Sequence, residues 1–313
     1  MTTTVPPTSA ASSAPVAPTP DTNAFNQFAR LVRWELFLAW RRRGMVITLS
    51  SLLLVAYTIF VLIQFIVYQS MIMYNGAPGP SHGLTFPGSV GVSGSYVAHV
   101  GVLLFIVLTG ALIGSEYSYN TLRLSFARGV GRGQLLGAQI VALALIAVAV
   151  CGVFIVLGLG TAFLSAISGV SGDSVAFSGA GLLQIFIYWL ALAFNLFAYA
   201  LISVCIGTLS RSVAGAIAGP LVFIVVEVIA SGILLGLGGP YSSPTLHTLG
   251  QVPYYFLGAN MSALESYAGR TSYIIETSTA NISLTHALLV SLAYVVVFIG
   301  LSYVALRRRD IVE

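Results

Sequence analysis

Two serine-containing tetrapeptides offer the first candidate chemistry in this sequence. Gly-Val-Ser-Gly occurs at residues 91–94 and again at residues 169–172. A serine nucleophile would need a histidine base at the same depth on a neighbouring span, and His99 and His286 are the available candidates. Both tetrapeptides lie in stretches rich in glycine and serine, so we expect them in outer loops rather than in an active site.

Metal and phosphate chemistry have little support in the residue types. The four histidines show neither an HExxH motif nor paired spacing, and both cysteines lie within apolar runs. All 13 basic residues are arginines, so a Walker-type phosphate loop, which needs a lysine, is not available. We therefore predict a chain with no metal or cofactor of its own and no catalysis of ATP hydrolysis.

An acidic residue inside an apolar run is the third candidate. Glu227 lies well inside residues 213–238, and an ionised side chain at such a depth costs about 2.5–3.5 kcal/mol to insert. Two interpretations remain open. The carboxyl could tie this span to a neighbour through a residue such as Asn195, or it could line a substrate path and present negative charge to a cationic cargo.

A polar segment, residues 114–137, separates two apolar runs. Its charged residues could not be placed in lipid without a large cost. Aromatic and aliphatic residues between the charges predict a short amphipathic segment at the membrane face that a partner could bind. The charged residues are Glu116, Arg123, Arg128 and Arg132, and the apolar and aromatic ones include Tyr117, Leu122 and Phe126.

Composition and hydropathy set the fold class. Apolar residues make up 57% of the chain and charged residues 7%, with a mean hydropathy of +0.95. We predict an all-α integral membrane protein with six transmembrane helices, since a span needs ~20 apolar residues. The expected spans are residues 45–68, 96–114, 134–168, 180–209, 213–238 and 284–306. For residues 239–283 we predict an outer loop with a short interfacial or re-entrant helix in its middle.

Before the first span we predict two elements. Residues 1–24 are expected to form a disordered tail, and residues 25–43 an amphipathic interfacial helix. Glu35 falls on the apolar side of that helix. It either snorkels at the helix edge or faces inward to form an ion pair with an arginine of the polar segment. The arginines favour both termini inside, because this choice leaves Arg270 as the one arginine outside.

The polar segment and this topology resemble the permease subunits of ATP-binding-cassette (ABC) exporters of the type-2 six-helix class. The matching residues are Glu116-Tyr117, Thr121-Leu122-Arg123-Leu124, Arg128-Gly129-Val130, Arg132 and the closing Arg308-Arg309-Asp310-Ile311. In that family the segment docks on an ATPase subunit. The resemblance therefore implies a coupling segment, residues 115–133, whose contact residues are Glu116, Tyr117, Leu122, Arg123, Phe126, Arg128 and Arg132.

The resemblance also implies partners and a location. We expect two permease copies, as a homodimer or a close heterodimer, with two ABC ATPase subunits that bind ATP and Mg²⁺. The complex is expected in the cell membrane and without nucleic acid. The family often carries a lysine early in the third span, where this chain has Gln139. The alternatives are a secondary transporter or channel, or less plausibly an intramembrane serine protease of the rhomboid kind, which carries GxSG.

Overall fold

The computed structural model describes residues 24–75, 83–118, 131–170, 179–237, 248–270 and 282–308. Within these ranges the regular structure is helical, and six helices are long and apolar enough to cross a membrane. The predicted all-α fold class with six spans is confirmed. The predicted tail lies outside the described residues, apart from Ala24.

Eight helices follow one another along the described chain, and we number them in order. The amphipathic helix comes first, and a shorter helix, α7, precedes the last span. They are α1 (Ala24–Arg41), α2 (Arg43–Asn75), α3 (Gly88–Ser118), α4 (Arg132–Ile167), α5 (Gly179–Ser210), α6 (Val213–Leu237), α7 (Leu257–Arg270) and α8 (Leu284–Arg308).

One sequence-based expectation is wrong at the start of α3. Residues 88–95, glycine- and serine-rich, were expected in a loop, but they form the first turns of the helix. Their small side chains allow close packing in the bundle: a methyl group at Gly94 would lie 2.2 Å from Tyr188 Oη, and one at Gly158 of α4 would lie 2.4 Å from Ser93 Oγ. Small residues suit buried helix contacts in membranes for this reason.

Helix α5 forms the centre of the bundle. It contacts α3, α4, α6, α7 and α8, and it is the most buried of the six spans. Its side chains Tyr188, Leu192 and Leu196 are fully buried. The interior of a single chain is therefore filled by apolar packing.

Helices α3 and α6 approach each other closely at one end of the bundle. A methyl group at Gly110 would lie 2.7 Å from the Ala216 carbonyl oxygen, and one at Gly114 would lie 2.5 Å from Val213 Cα. This GxxxG spacing brings the two backbones together. It places the end of α3 beside the short turn between α5 and α6, where Arg211 adopts a positive φ of 52°.

Helix α7 is folded into the bundle rather than lying free in a loop. It packs on α5 and α8, and Leu257, Met261 and Ala263 are fully buried. A short 3-10 turn, Val252–Tyr255, precedes it, and the Asn260 amide donates to the carbonyls of Tyr254 (2.8 Å) and Phe256 (2.7 Å). Residues 238–247 and 271–281 of the predicted outer loop lie outside the described ranges.

Candidate functional site

The end of α3 at which the polar segment begins carries a cluster of polar side chains. Helix α1 packs on α4 there, with Val32 and Ala39 buried on the face that it turns toward the bundle. Glu35 lies on this same face because it is three residues after Val32 and four before Ala39. The carboxyl that interrupts the apolar pattern of α1 therefore points inward.

The partner of Glu35 is a second carboxyl group. Its side chain is hydrogen-bonded to Glu116, which is 7% exposed in α3. Gln139 of α4 completes the contact, with Nε2 donating to Glu116 Oε2 at 2.5 Å. Three helices, α1, α3 and α4, are thus joined through Glu116.

Arg42, between α1 and α2, lies at the edge of the same cluster. It lines a pocket with Glu35, Glu116 and Gln139, and its charge interacts favourably with Glu116. Its Nη1 donates to the Ala111 carbonyl oxygen at 2.8 Å. Arg42 therefore also holds the junction of α1 and α2 to the backbone of α3.

Burial raises the pKa of Glu35 to about 7, while its hydrogen bond with Glu116 acts in the opposite direction. Desolvation is the larger effect because an ionised carboxyl loses its hydration at this site. The pKa of Glu35 is consequently close to neutral pH.

The polar segment is anchored at its other end as well. Arg132, the first residue of α4, donates from Nη1 to the carbonyl oxygens of Leu306 (3.2 Å) and Arg307 (3.1 Å). These carbonyls belong to the last turn of α8, where the helix dipole favours a cation. Arg132 thus connects the start of α4 to the end of α8.

The other predicted coupling residues are only partly described. Leu122, Arg123, Phe126 and Arg128 lie outside the described residues. Tyr117 is half-buried and packs on the apolar cluster that contains Ile113, Leu136, Leu143 and Val204. The described side chains of Glu116 and Tyr117 contact this chain's own bundle, and their part in docking stays a prediction.

The described interactions of Glu35 differ from the predicted ion pair. The hydrogen-bond partner in the structure is the acidic Glu116 of the polar segment. Pairing of Glu35 with Arg123 or Arg128 stays a prediction, since neither arginine is among the described residues.

Glu227 belongs to α6, and its side chain lies beside the start of α7. Its Oε1 accepts a hydrogen bond from the backbone N–H of Gly258, the second residue of α7. A carboxylate at this place satisfies an amide that has no partner within its helix and interacts favourably with the helix dipole. The described contact agrees with the first of the two interpretations, in which Glu227 ties its span to a neighbouring helix. The partner of Glu227 is a backbone amide and not Asn195.

Asn195 of α5 is bonded instead to Glu265 of α7, which sequence reasoning placed outside the membrane in the outer loop. The Asn195 Nδ2 atom donates to Glu265 Oε1 at 2.6 Å, and burial raises the pKa of Glu265 to about 8. A short helix was expected in this loop, and the apolar spacing Leu257, Met261, Leu264 is the signal that one face of it is buried. Glu265 lies four residues after Met261, on that face.

The serine and histidine candidates do not meet. Ser93 Oγ donates to the Val90 carbonyl oxygen at 2.9 Å within α3. His99 Nδ1 lies 2.8 Å from the Ser95 carbonyl oxygen, and His286 Nε2 lies 3.1 Å from that of Tyr254. These side chains do not form a nucleophile–base pair, and part of the second GVSG lies outside the described residues.

Comparison with known proteins gives the family. A family model described as "ABC-2 family transporter protein" matches residues 32–311, so the chain belongs to the ABC-2 family of transporter proteins. It is a multi-pass membrane permease. Permeases of this family are generally the non-catalytic membrane component and generally work with an ABC ATPase. A search of curated proteins finds no match to the chain.

Proposed function

We propose that this permease is the membrane-spanning subunit of an ATP-driven exporter. It forms the substrate path and is coupled through residues 115–133 to a separate ABC ATPase, which binds ATP and Mg²⁺. Both chain termini face the cytoplasm, and the complex lies in the cell membrane.

The observation that carries this proposal is the anchoring of the coupling segment at both ends. Glu116 joins its start to α1 and α4, and Arg132 joins its end to the last turn of α8. A displacement at the two ends of the segment would therefore act on four helices, α1, α3, α4 and α8. That is the mechanical requirement for coupling to a soluble motor subunit.

Docking of the segment is tested with Leu122→Asp and Phe126→Asp. We expect the permease to insert normally but to lose retention of the ATPase and stimulation of its activity, because a charge in an apolar contact is costly. Co-purification and ATPase assays on the complex measure this. The matched control is Leu249→Asp, an exposed leucine at the opposite end of the bundle, which should leave both unchanged.

A simpler role for the segment's arginines makes a different prediction. If they only hold the segment inside, each worth about 1 kcal/mol near anionic lipid, the Asp variants should bind and stimulate the ATPase normally. Unchanged co-purification and transport in Leu122→Asp and Phe126→Asp would therefore overturn the docking proposal.

A further inference from the structure

The hydrogen bond between the carboxyl groups of Glu35 and Glu116 requires a proton. An ionised carboxylate has only acceptor oxygens, so a hydrogen bond between two carboxyl groups needs a proton on one of them. Two adjacent carboxylates also repel each other strongly when both are desolvated. The contact described between α1 and α3 is therefore that of a pair which holds at least one proton.

Among the described residues that line its pocket, the pair has one cationic neighbour, Arg42. The pocket around it is lined from α1, α3, α4 and the α1–α2 junction, and its ionisable members are Glu35, Glu116 and Arg42. Gln139 donates a hydrogen bond to Glu116 but is uncharged. With one proton on the pair, its single negative charge is balanced by Arg42. Without the proton, a net negative charge is left in a desolvated site.

We propose that Glu35 and Glu116 form a proton-binding site that fixes the amphipathic helix to the stem of the coupling segment. The ligand is a proton, exchanged with water as one carboxylic acid becomes a carboxylate. Glu116 is two residues before the end of α3, so the site lies where that helix continues into the segment. Its effect on ATPase coupling rests on the proposed function, whereas proton binding itself does not.

The pH window follows from Glu35. Its pKa is raised from 4.5 to about 7, so the contribution of the contact is fully present below the lower value and is lost as pH rises through the upper one. Ionisation of Glu35 adds a negative charge beside Glu116 in a desolvated site, which weakens the attachment of α1. Near neutral pH Glu35 is partly protonated and responds to small changes in pH.

Infrared spectroscopy of the full-length permease, purified without its ATPase, measures the site directly. A protonated carboxyl has a C=O stretch that a carboxylate lacks. Two further buried acids would overlap with it, so the background carries Glu227→Gln and Glu265→Gln. In this background we expect a carboxyl band that loses intensity as pH rises from about 5.5 through about 7, when Glu35 ionises.

Glu35→Gln is the variant that decides the assignment. Its amide can donate to Glu116 without a proton, so the titrating band should be lost while the helix contact is kept. A band that persists unchanged in this variant would overturn the proposal, as would a background protein with no titrating carboxyl band. Should Glu35→Gln fail to fold, Glu116→Gln must shift the pH at which the same band titrates, because it removes the carboxyl that faces Glu35.

Tryptophan fluorescence gives an independent readout of α1. Two of the three tryptophans, Trp34 and Trp40, lie on α1 and are exposed, and Trp189→Phe removes the third. We expect the α1 signal to shift over the window in which the infrared band titrates, and Glu35→Gln to abolish that shift. A fluorescence shift that is retained in Glu35→Gln would contradict the link between proton and helix.

These measurements separate two failures. Leu122→Asp and Phe126→Asp test docking on the ATPase, which the infrared and fluorescence experiments do not involve. If the background protein shows no titrating carboxyl band while the permease still binds its ATPase, the proton site alone is refuted. A titrating band in a permease that binds no ATPase would refute the coupling function alone.

Discussion

Three acidic side chains of this permease each join two helices by accepting a hydrogen bond from an amide N–H. Glu116 accepts from the side-chain amide of Gln139, Glu265 from that of Asn195, and Glu227 from the backbone amide of Gly258. A polar group without a partner is costly in the membrane, so these bonds hold particular helix pairs together. Helix α7 depends on two of them.

The contact of Glu227 predicts a difference between two substitutions. Glu227→Gln retains an oxygen that accepts from Gly258, whereas Glu227→Leu leaves that amide without a partner at a cost of about 1–3 kcal/mol. We expect faster hydrogen exchange in α7 for the leucine variant only. Equal exchange in both variants would show that the bond does not hold α7.

The proposed role of Glu227 in the substrate path is tested by the same glutamine variant. It removes the charge and keeps the tie, so a lower rate of efflux of a fluorescent lipophilic cation would indicate recognition of charge. Export at the normal rate across neutral and alkaline pH would leave Glu227 as a tie between helices alone.

Glu265 predicts a pH dependence of stability. Its pKa is raised from 4.5 to about 8, so its contribution is complete below the lower value and is lost as pH rises through the upper one. The slope for one proton is at most ~1.4 kcal/mol per pH unit. We expect the Tm of the wild-type permease to fall between about pH 5 and about pH 8 and the fall to be smaller in Glu265→Gln. Parallel Tm curves for the two proteins would contradict this.

At the scale of helices, the close approach of α3 and α6 predicts which glycines tolerate a side chain. Gly114→Ala would place a methyl group 2.5 Å from a backbone atom of Val213, and such overpacking costs about 1–3 kcal/mol. Gly232→Ala in α6 is the matched control, because a methyl group there has no neighbour within 4 Å. We expect a lower Tm for the first variant and an unchanged or higher Tm for the second. Equal thermal stability would show that α3 and α6 can separate without loss.

At the scale of the whole molecule, the filled interior of one chain bears on the assembly. Fully buried side chains of α5 occupy the centre of the bundle, and α6 is the least buried of the six spans. A path for a bulky cargo would therefore lie between chains, and we propose a permease homodimer with two ATPase subunits. Native mass spectrometry should find two copies of each. A stable assembly of one permease with one ATPase would contradict the proposal.

Much of the helix arrangement could be predicted from the sequence, because hydropathy and charge are properties of the chain read residue by residue. The last span was expected at residues 284–306 and is Leu284–Arg308, and the fifth was expected at residues 213–238 and is Val213–Leu237. Such runs are placed by the cost of exposing polar groups to lipid, which does not depend on neighbouring helices. The amphipathic pattern likewise predicted α1.

Only the tertiary structure decided which polar side chains meet. Sequence reasoning identified Glu35 as anomalous but left open whether it snorkels or pairs with an arginine. It offered Asn195 as one possible partner of Glu227, whereas Asn195 is bonded to Glu265, 70 residues away. It also expected a loop at residues 88–95, where packing against Tyr188 and α4 stabilises a helix. Partners of this kind depend on which helices are adjacent and on how they are rotated, and a one-dimensional pattern contains neither. The proton site at Glu35 and Glu116 follows from that adjacency alone.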